Sequence, residues 1–184
     1  VTSLGNITVG NEGLGIYKKN GNLNITGNIV AGNDAVGVYG DNNVTINNSG
    51  NITVGDRSFG FAILDNGVNN FTGTSTSTAN IGSKSVYVYK AGPLGNVTSE
   101  TSIFSSGFNS TAFYAVDNAV INNNGVVDFG NSVGSAGAFA SNNGIVYNNG
   151  TITVGKSEIT SSNPANRYYA LGMAAKNGGK IYNY

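Results

Sequence analysis

The chain has 184 residues, with 28 glycines, nine basic and nine acidic side chains, no cysteine and no histidine. A formal charge of zero with only 10% charged residues offers nothing to attract a polyanion, which argues against nucleic acid as a partner. Lack of cysteine excludes a disulfide framework, a thiol nucleophile and a cysteine metal site; lack of histidine removes the commonest general base and metal ligand.

A short unit recurs along the sequence. Gly5-Asn6-Ile7-Thr8-Val9-Gly10 precedes Leu14-Gly15-Ile16-Tyr17, and Gly27-Asn28-Ile29-Val30-Ala31-Gly32 precedes Val36-Gly37-Val38-Tyr39. Gly50-Asn51-Ile52-Thr53-Val54-Gly55 precedes Phe59-Gly60-Phe61-Ala62-Ile63. Gly10 to Gly32 is 22 residues, Gly32 to Gly55 is 23, and Gly130 to Gly155 is 25. Each unit holds three short runs with apolar residues at alternate positions, separated by Gly/Asn turns, the pattern of strands with one buried face. Three strands and three turns per unit predict one coil of a parallel β-helix. A single coil cannot bury its apolar face, so coils must stack. Seven to eight coils of 22–26 residues fit the length and give a rod roughly 35 Å long at about 4.8 Å per coil. A solenoid needs polar caps and this chain starts and stops inside its repeat, so 1–184 is expected to be one β-helix segment of a longer protein.

In the first coils, residues 4 to about 72, the pairs Ile7/Val9, Ile29/Ala31 and Ile52/Val54 are predicted to point inward, with Thr8, Val30 and Thr53 outward. On the second strand the predicted inward pairs are Leu14/Ile16, Val36/Val38 and Phe59/Phe61; on the third, Leu23/Ile25 and Val44/Ile46. Asn20, Asn42, Asp65, Asp117, Asn142 and Asn177 share a turn position, where Asn and Asp tolerate the left-handed conformation and can stack as a ladder. Residues 73–111 read as irregular coils: Thr74–Thr78 stands where the Ile-x-Val strand belongs, and Gly92-Pro93-Leu94-Gly95 is a turn. The register returns at Ala112-Phe113-Tyr114-Ala115. After Gly155 an insertion, 156–169, separates it from Gly172 by 17 residues, against five between Gly10 and Gly15. Insertions in repeat proteins map to loops on one face, often the binding face.

The repeat residues quoted above, together with Gly15-Ile16-Tyr17-Lys18-Lys19-Asn20-Gly21, resemble passenger repeats of large autotransporter (type V secreted) adhesins, fusobacterial outer-membrane adhesins in particular. The resemblance covers most of 4–72 and 120–184. It implies a right-handed β-helix, exported through the outer membrane and held on the cell surface by a C-terminal barrel. It carries over no binding residue, because the motif is scaffold. The expected work is adhesion: a non-catalytic, monomeric rod, or one continuous with neighbouring coils, presenting loops to a host or bacterial surface protein or glycan, with no cofactor and no membrane insertion in this segment.

Candidate binding residues are the outward aromatic column Tyr17, Tyr39, Tyr114 and Phe139, joined by Tyr87 or Tyr89, and Glu158, Arg167, Tyr168 and Tyr169 of the insertion. Aromatic rings in such a stripe stack on sugars or bury in a partner; alternatively they stack on one another and stabilise the coil. A polysaccharide-active β-helix enzyme or tailspike-like glycan binder is the competing class. It needs clustered carboxylates, and Glu12, Asp34 and Arg57, aligned on successive coils, are the nearest approach. An ice-binding face would need flat threonine arrays, which Val30 and Asp128 interrupt among Thr8, Thr53 and Thr153. Asn6, Asn24, Asn43, Asn47, Asn51, Asn70, Asn96 and Asn109 begin glycosylation sequons, which also follow from the repeat itself.

Overall fold

The computed structural model describes residues 2–3 and 5–184 and is an all-β parallel solenoid. Seven parallel strands form its first face: Ile7–Val9, Ile29–Ala31, Ile52–Val54, Thr78–Ile81, Ser102–Phe104, Val126–Val133 and Thr151–Lys156. Seven strands bound six complete turns, close to the coil count expected from the chain length. The second face uses the leading halves of Leu14–Ile25 and Val36–Asn48, then Phe59–Ile63, Val86–Ala91, Thr111–Val116, Ala136–Ser141 and Leu171–Ala175. The third uses the trailing halves of the same two long strands, then Asn70–Gly73, Val97–Ser99, Val120–Asn123, Ile145–Asn148 and Lys180–Asn183. Because those two strands turn the corner unbroken, the second and third faces, with Thr2–Ser3 paired to the trailing half of Leu14–Ile25, form one thirteen-stranded sheet. Among the described residues there is no α-helix, and Pro164–Asn166 is a single 3-10 turn.

The vertical alignment is direct. Ile7, Ile29 and Ile52 are successive strand partners, and the column continues through Ala79, Ile103, Val127 and Ile152. Ile29, Ile52, Ala79, Ile103 and Val127 are fully buried, and each full-sized side chain removed from water contributes about 1.5–3 kcal/mol.

The second face corrects the expected inward pairs. Leu14 is 45% exposed and Val36 and Phe59 are half-buried. The inward residues at these levels are the next two in sequence: Gly37-Val38, Gly60-Phe61, Tyr87-Val88, Ala112-Phe113 and Gly137-Ala138. The strand kinks here, so two consecutive residues face the core, and the first is small where space is short. A Cβ on Gly37 would lie 2.6 Å from Ile52 Cδ1. Tyr87 is the exception. Its ring crosses the core to Phe61, Phe71 and Phe113 at 5.6, 6.3 and 5.9 Å, and its hydroxyl donates to Thr101 Oγ1 at 3.0 Å beside Gly73. Burial pushes its pKa up to about 12.

On the third face Leu23, Ile25, Val44 and Ile46 are all buried, as expected, but their register between coils is offset. Leu23 pairs with Ile46, and Ile25 is covered by Asn48, because the second coil carries an extra residue at Asn42-Asn43. Asn48 begins an inward polar column through Gly73, Ser99, Asn123, Asn148 and Asn183. Asn123 Nδ2 donates to Asn148 Oδ1 at 2.7 Å, and Asn148 Nδ2 to the exposed Asn183 Oδ1 at 2.8 Å, so the buried amides of Asn123 and Asn148 find partners along the column.

In the middle stretch, Thr74–Thr78 does not replace the Ile-x-Val strand. Ala79 and Ile81 pair with Ile52 and Val54, while residues 74–77 form a turn closed by the Ser77 N–H on Thr74 O. The strands Val86–Ala91 and Thr111–Val116 stack on both neighbours in parallel register. Lys90 is fully buried between Ile63 and Ala115. Its ammonium donates to the carbonyls of Ala91, Gly92 and Leu94 at 2.7, 3.1 and 3.1 Å, bracing the Gly92–Gly95 turn.

Of the expected turn ladder, Asn20, Asn42, Asp117, Asn142 and Asn177 all have φ near +50 to +60°. Asn142 donates to Asp117 at 3.2 Å and Asn177 to Asn142 at 3.5 Å. Asp65 has no such φ; its coil turns through Gly67 (φ +75°) instead.

Candidate functional site

The outward column of the second face runs Tyr17, Tyr39, Ala62, Tyr89, Tyr114, Phe139, Ala174, each the strand partner of the next. Tyr89 is therefore the additional member of the stripe, while Tyr87 points into the core. Ala62 divides the rings into two groups. Tyr17 and Tyr39 lie 5.6 Å apart, and the Tyr17 hydroxyl donates to Asp41 at 3.1 Å. Two coils further on, Tyr89 meets Tyr114 at 5.5 Å and Tyr114 meets Phe139 at 5.2 Å, both edge to face. Phe59 adds an edge contact to Tyr89 at 5.8 Å, and Lys176 sets its ammonium 5.3 Å from the Phe139 centroid.

The insertion folds onto the second group. Glu158 and Tyr168 form an antiparallel bridge with two backbone hydrogen bonds of 2.8 Å. The Asn163 side chain caps the 3-10 turn by accepting from the Ala165 N–H, and Arg167 Nε donates to Ser161 O at 2.9 Å. Glu158, through its backbone, and Arg167 thus hold the loop's own shape. The Tyr168 ring packs on Phe108 at 5.7 Å, and Lys84 lies 5.1 Å from the same Phe108 ring. The loop lies down here because Gly134 sits beneath it with φ +65°; any Cβ on Gly134 would meet the Cβ of Tyr168.

Beside this contact, Tyr169 stands 52% exposed and faces Leu171, Tyr114 and Phe139 across a surface hollow of about 270 Å³, whose lining also includes Asn109 and Thr111. Of the eight candidate residues, Tyr114, Phe139 and Tyr169 share this hollow. Tyr168, Glu158 and Arg167 support it, and Tyr17 and Tyr39 form a separate patch. Sequence reasoning missed Phe108 and Leu171 here. The signal for Leu171 was available in the period, which puts it in register with Ala136 and Thr111; Phe108 carries none.

The carboxylates are arranged differently. Glu12, Asp34, Arg57, Lys84 and Asn109 all have φ between +54 and +59°. Backbone bonds from each N–H to the coil above place them in one turn column. Arg57 grips Asp34 through Nε and Nη2, both at 2.7 Å, and holds its carboxyl below the usual carboxylate range. Both oxygens of Asp34 accept from the same guanidinium, so this is a surface ion pair and not an acid/base couple. Among the described residues, no group of three or more acidic side chains is placed to hold a metal ion. The sequon asparagines Asn6, Asn43, Asn51 and Asn70 accept backbone N–H groups from the following coil, which is ladder work.

A family model described as the BigA third pectate lyase-like domain matches residues 22–184. No curated protein and no solved structure matches the chain.

Proposed function

This chain belongs to the BigA third pectate lyase-like domain family, and from that membership we propose that it is a surface-displayed, non-catalytic adhesin segment of autotransporter type. It is exported through the outer membrane and presents a loop-flanked recognition surface to a host or bacterial surface protein or glycan. The observation that carries this reading is the 156–169 insertion lying against the aromatic stripe and turning a flat sheet face into a concave one. The repeat resemblance to passenger adhesins supports display at the cell surface, and the bidentate Asp34–Arg57 pair supports a scaffold role for the best-placed carboxylate.

The test compares the segment with a variant in which residues 157–169 are replaced by a short Gly-Ser link, measured on host epithelial cells and on bacterial cells by flow cytometry. Circular dichroism confirms that the β-sheet content is kept. Loss of cell binding in the link variant is the expected result; equal binding by both proteins, or none by either, overturns the reading. Release of sugar ends from any polysaccharide, abolished by Asp34→Asn or Glu12→Gln, would place the chain among enzymes instead.

A further inference from the structure

We propose that the hollow between the Tyr114–Phe139 rings and Tyr169 binds a neutral saccharide. This inference rests on the recognition reading above and names the ligand chemistry of that surface.

The argument begins with the main chain. Thr111–Val116 and Ala136–Ser141 are interior strands, each paired in parallel on both sides. Their N–H and C=O groups are committed to the ladder, so a peptide cannot join as an added strand at these two levels. A ligand lying over the Tyr114 and Phe139 rings is held by side chains.

Those side chains combine two chemistries. Tyr114, Phe139, Tyr169 and Leu171 offer apolar surface, with ring faces and edges alternating because Tyr114 and Phe139 stand at 88°. Asn109 and Thr111 bring an amide and a hydroxyl to the same wall. Asn109 is held in place by its left-handed φ of 54° and the bond from its N–H to Val133 O at 2.9 Å. A sugar ring has the matching character, with apolar C–H faces and a rim of hydroxyls that both donate and accept. The lining contains no acidic or basic residue, so an ionised ligand would lose hydration there without a counter-charge in direct contact. Lys176 is a neighbouring cation, with its ammonium over the Phe139 ring, so the acidic sugars in the test below measure whether it attracts an anion. The hollow, about 270 Å³, lies just below the roughly 300–1,000 Å³ of sites for drug-sized molecules, which leaves room for about one to two sugar rings.

The test is isothermal titration, with ring-proton NMR as a second readout. The ligands are neutral oligosaccharides of β-linked glucose, galactose and N-acetylglucosamine, set against oligogalacturonate and a sulfated oligosaccharide. Tyr169→Ala is the main variant, because an exposed loop ring can be removed without touching the core. Phe139→Leu is the second, and Tyr17→Ala, in the separate patch, is the control. Binding of a neutral oligosaccharide that weakens about three- to tenfold in Tyr169→Ala and Phe139→Leu, but not in Tyr17→Ala, is the expected result. Acidic sugars binding as tightly as neutral ones, or equal losses in all three variants, would overturn it. If no saccharide binds while loop-dependent cell binding persists, this ligand assignment falls and the recognition reading stands. If both are absent, both fall.

Discussion

Lys90 is a long cationic side chain inside a solenoid core, and its removal gives the sharpest physical test of the fold. Burial pushes its pKa down from 10.5 to about 8, against a smaller upward pull from Asp65. Below about pH 8 folded and unfolded chains both hold the proton. Between about pH 8 and 10.5 the unfolded chain holds more protons than the folded one, so stability rises with pH across that window. The full shift corresponds to about 3 kcal/mol, and solvent at the Gly92–Gly95 turn reduces the expected gain to about 1–2 kcal/mol. The tyrosines act in the opposite direction above about pH 10. Tyr87, Tyr17 and Tyr89 keep their protons longer when folded, chiefly through desolvation, so their contribution falls as pH rises. Comparing wild type with Lys90→Met cancels the tyrosine effect. Urea denaturation followed by circular dichroism, at intervals from pH 7 to 10.5, should show a rising midpoint in wild type that the variant lacks. At pH 7 the variant should be weaker by about 1–3 kcal/mol, because the carbonyls of Ala91, Gly92 and Leu94 lose their shared donor. Parallel profiles for the two proteins would refute the placement of this ammonium in the core.

Tyr87→Ala should cost about 3–5 kcal/mol in urea denaturation by emptying the aromatic cluster, whereas Tyr87→Phe, which loses only the bond to Thr101, should cost about 0.5–1.5 kcal/mol. Gly50→Ala drives a Cβ into the Gly27 carbonyl of the coil below and should destabilise by about 1–3 kcal/mol. Gly10→Ala meets nothing within 4 Å and should be neutral or gain up to about 1 kcal/mol; equal losses at the two glycines would contradict the stacking. Asp34→Asn should leave the denaturation midpoint where it is at pH 7, since the pair with Arg57 is half exposed.

The first three coils of the first face were readable from sequence because the same apolar pair recurs; the fourth was not, because Thr78–Ile81 shows only Ala79 and Ile81 after a threonine- and serine-rich turn. Ile7, Ile29 and Ile52 recur at a fixed interval and point the same way. The second face misled because its kink places Gly37 and Gly60 in the core, and a residue without a side chain carries no hydrophobic signal. Alternation counted from Val36 and Phe59 still reached Val38 and Phe61, so half of each pair was right for an incomplete reason. The same kink hides the difference between Tyr87 and Tyr89: Val86-Tyr87-Val88-Tyr89 alternates perfectly, and only its pairing to Phe61 and Phe113 shows which ring turns inward. The buried amides of Asn48, Asn123 and Asn148 were not anticipated, because asparagine in a repeat signals a turn more readily than a core position. The insertion was visible as a length change, but its resting place depends on Gly134 and Phe108, residues that carry no motif.

That resting place explains why recognition would concentrate at one level of the rod. A stacked parallel sheet repeats about every 4.8 Å and offers a flat surface, and a flat surface contacts a small ligand from one side only. Tyr17 and Tyr39 illustrate this: the corner before their strands is only a few residues long, so nothing rises beside the rings, and Tyr17 stays 53% exposed. Beside Tyr114 and Phe139 the longer corner supplies Tyr169 as a second wall. The loop is held there by its own backbone bridge and by Tyr168 on Phe108, without disturbing the ladder beneath. The scaffold and the proposed recognition surface are therefore carried by separate residues in this chain. Altering the loop should change what is bound without changing how the coils stack, whereas altering an inward residue such as Ile52 or Phe113 should do the reverse.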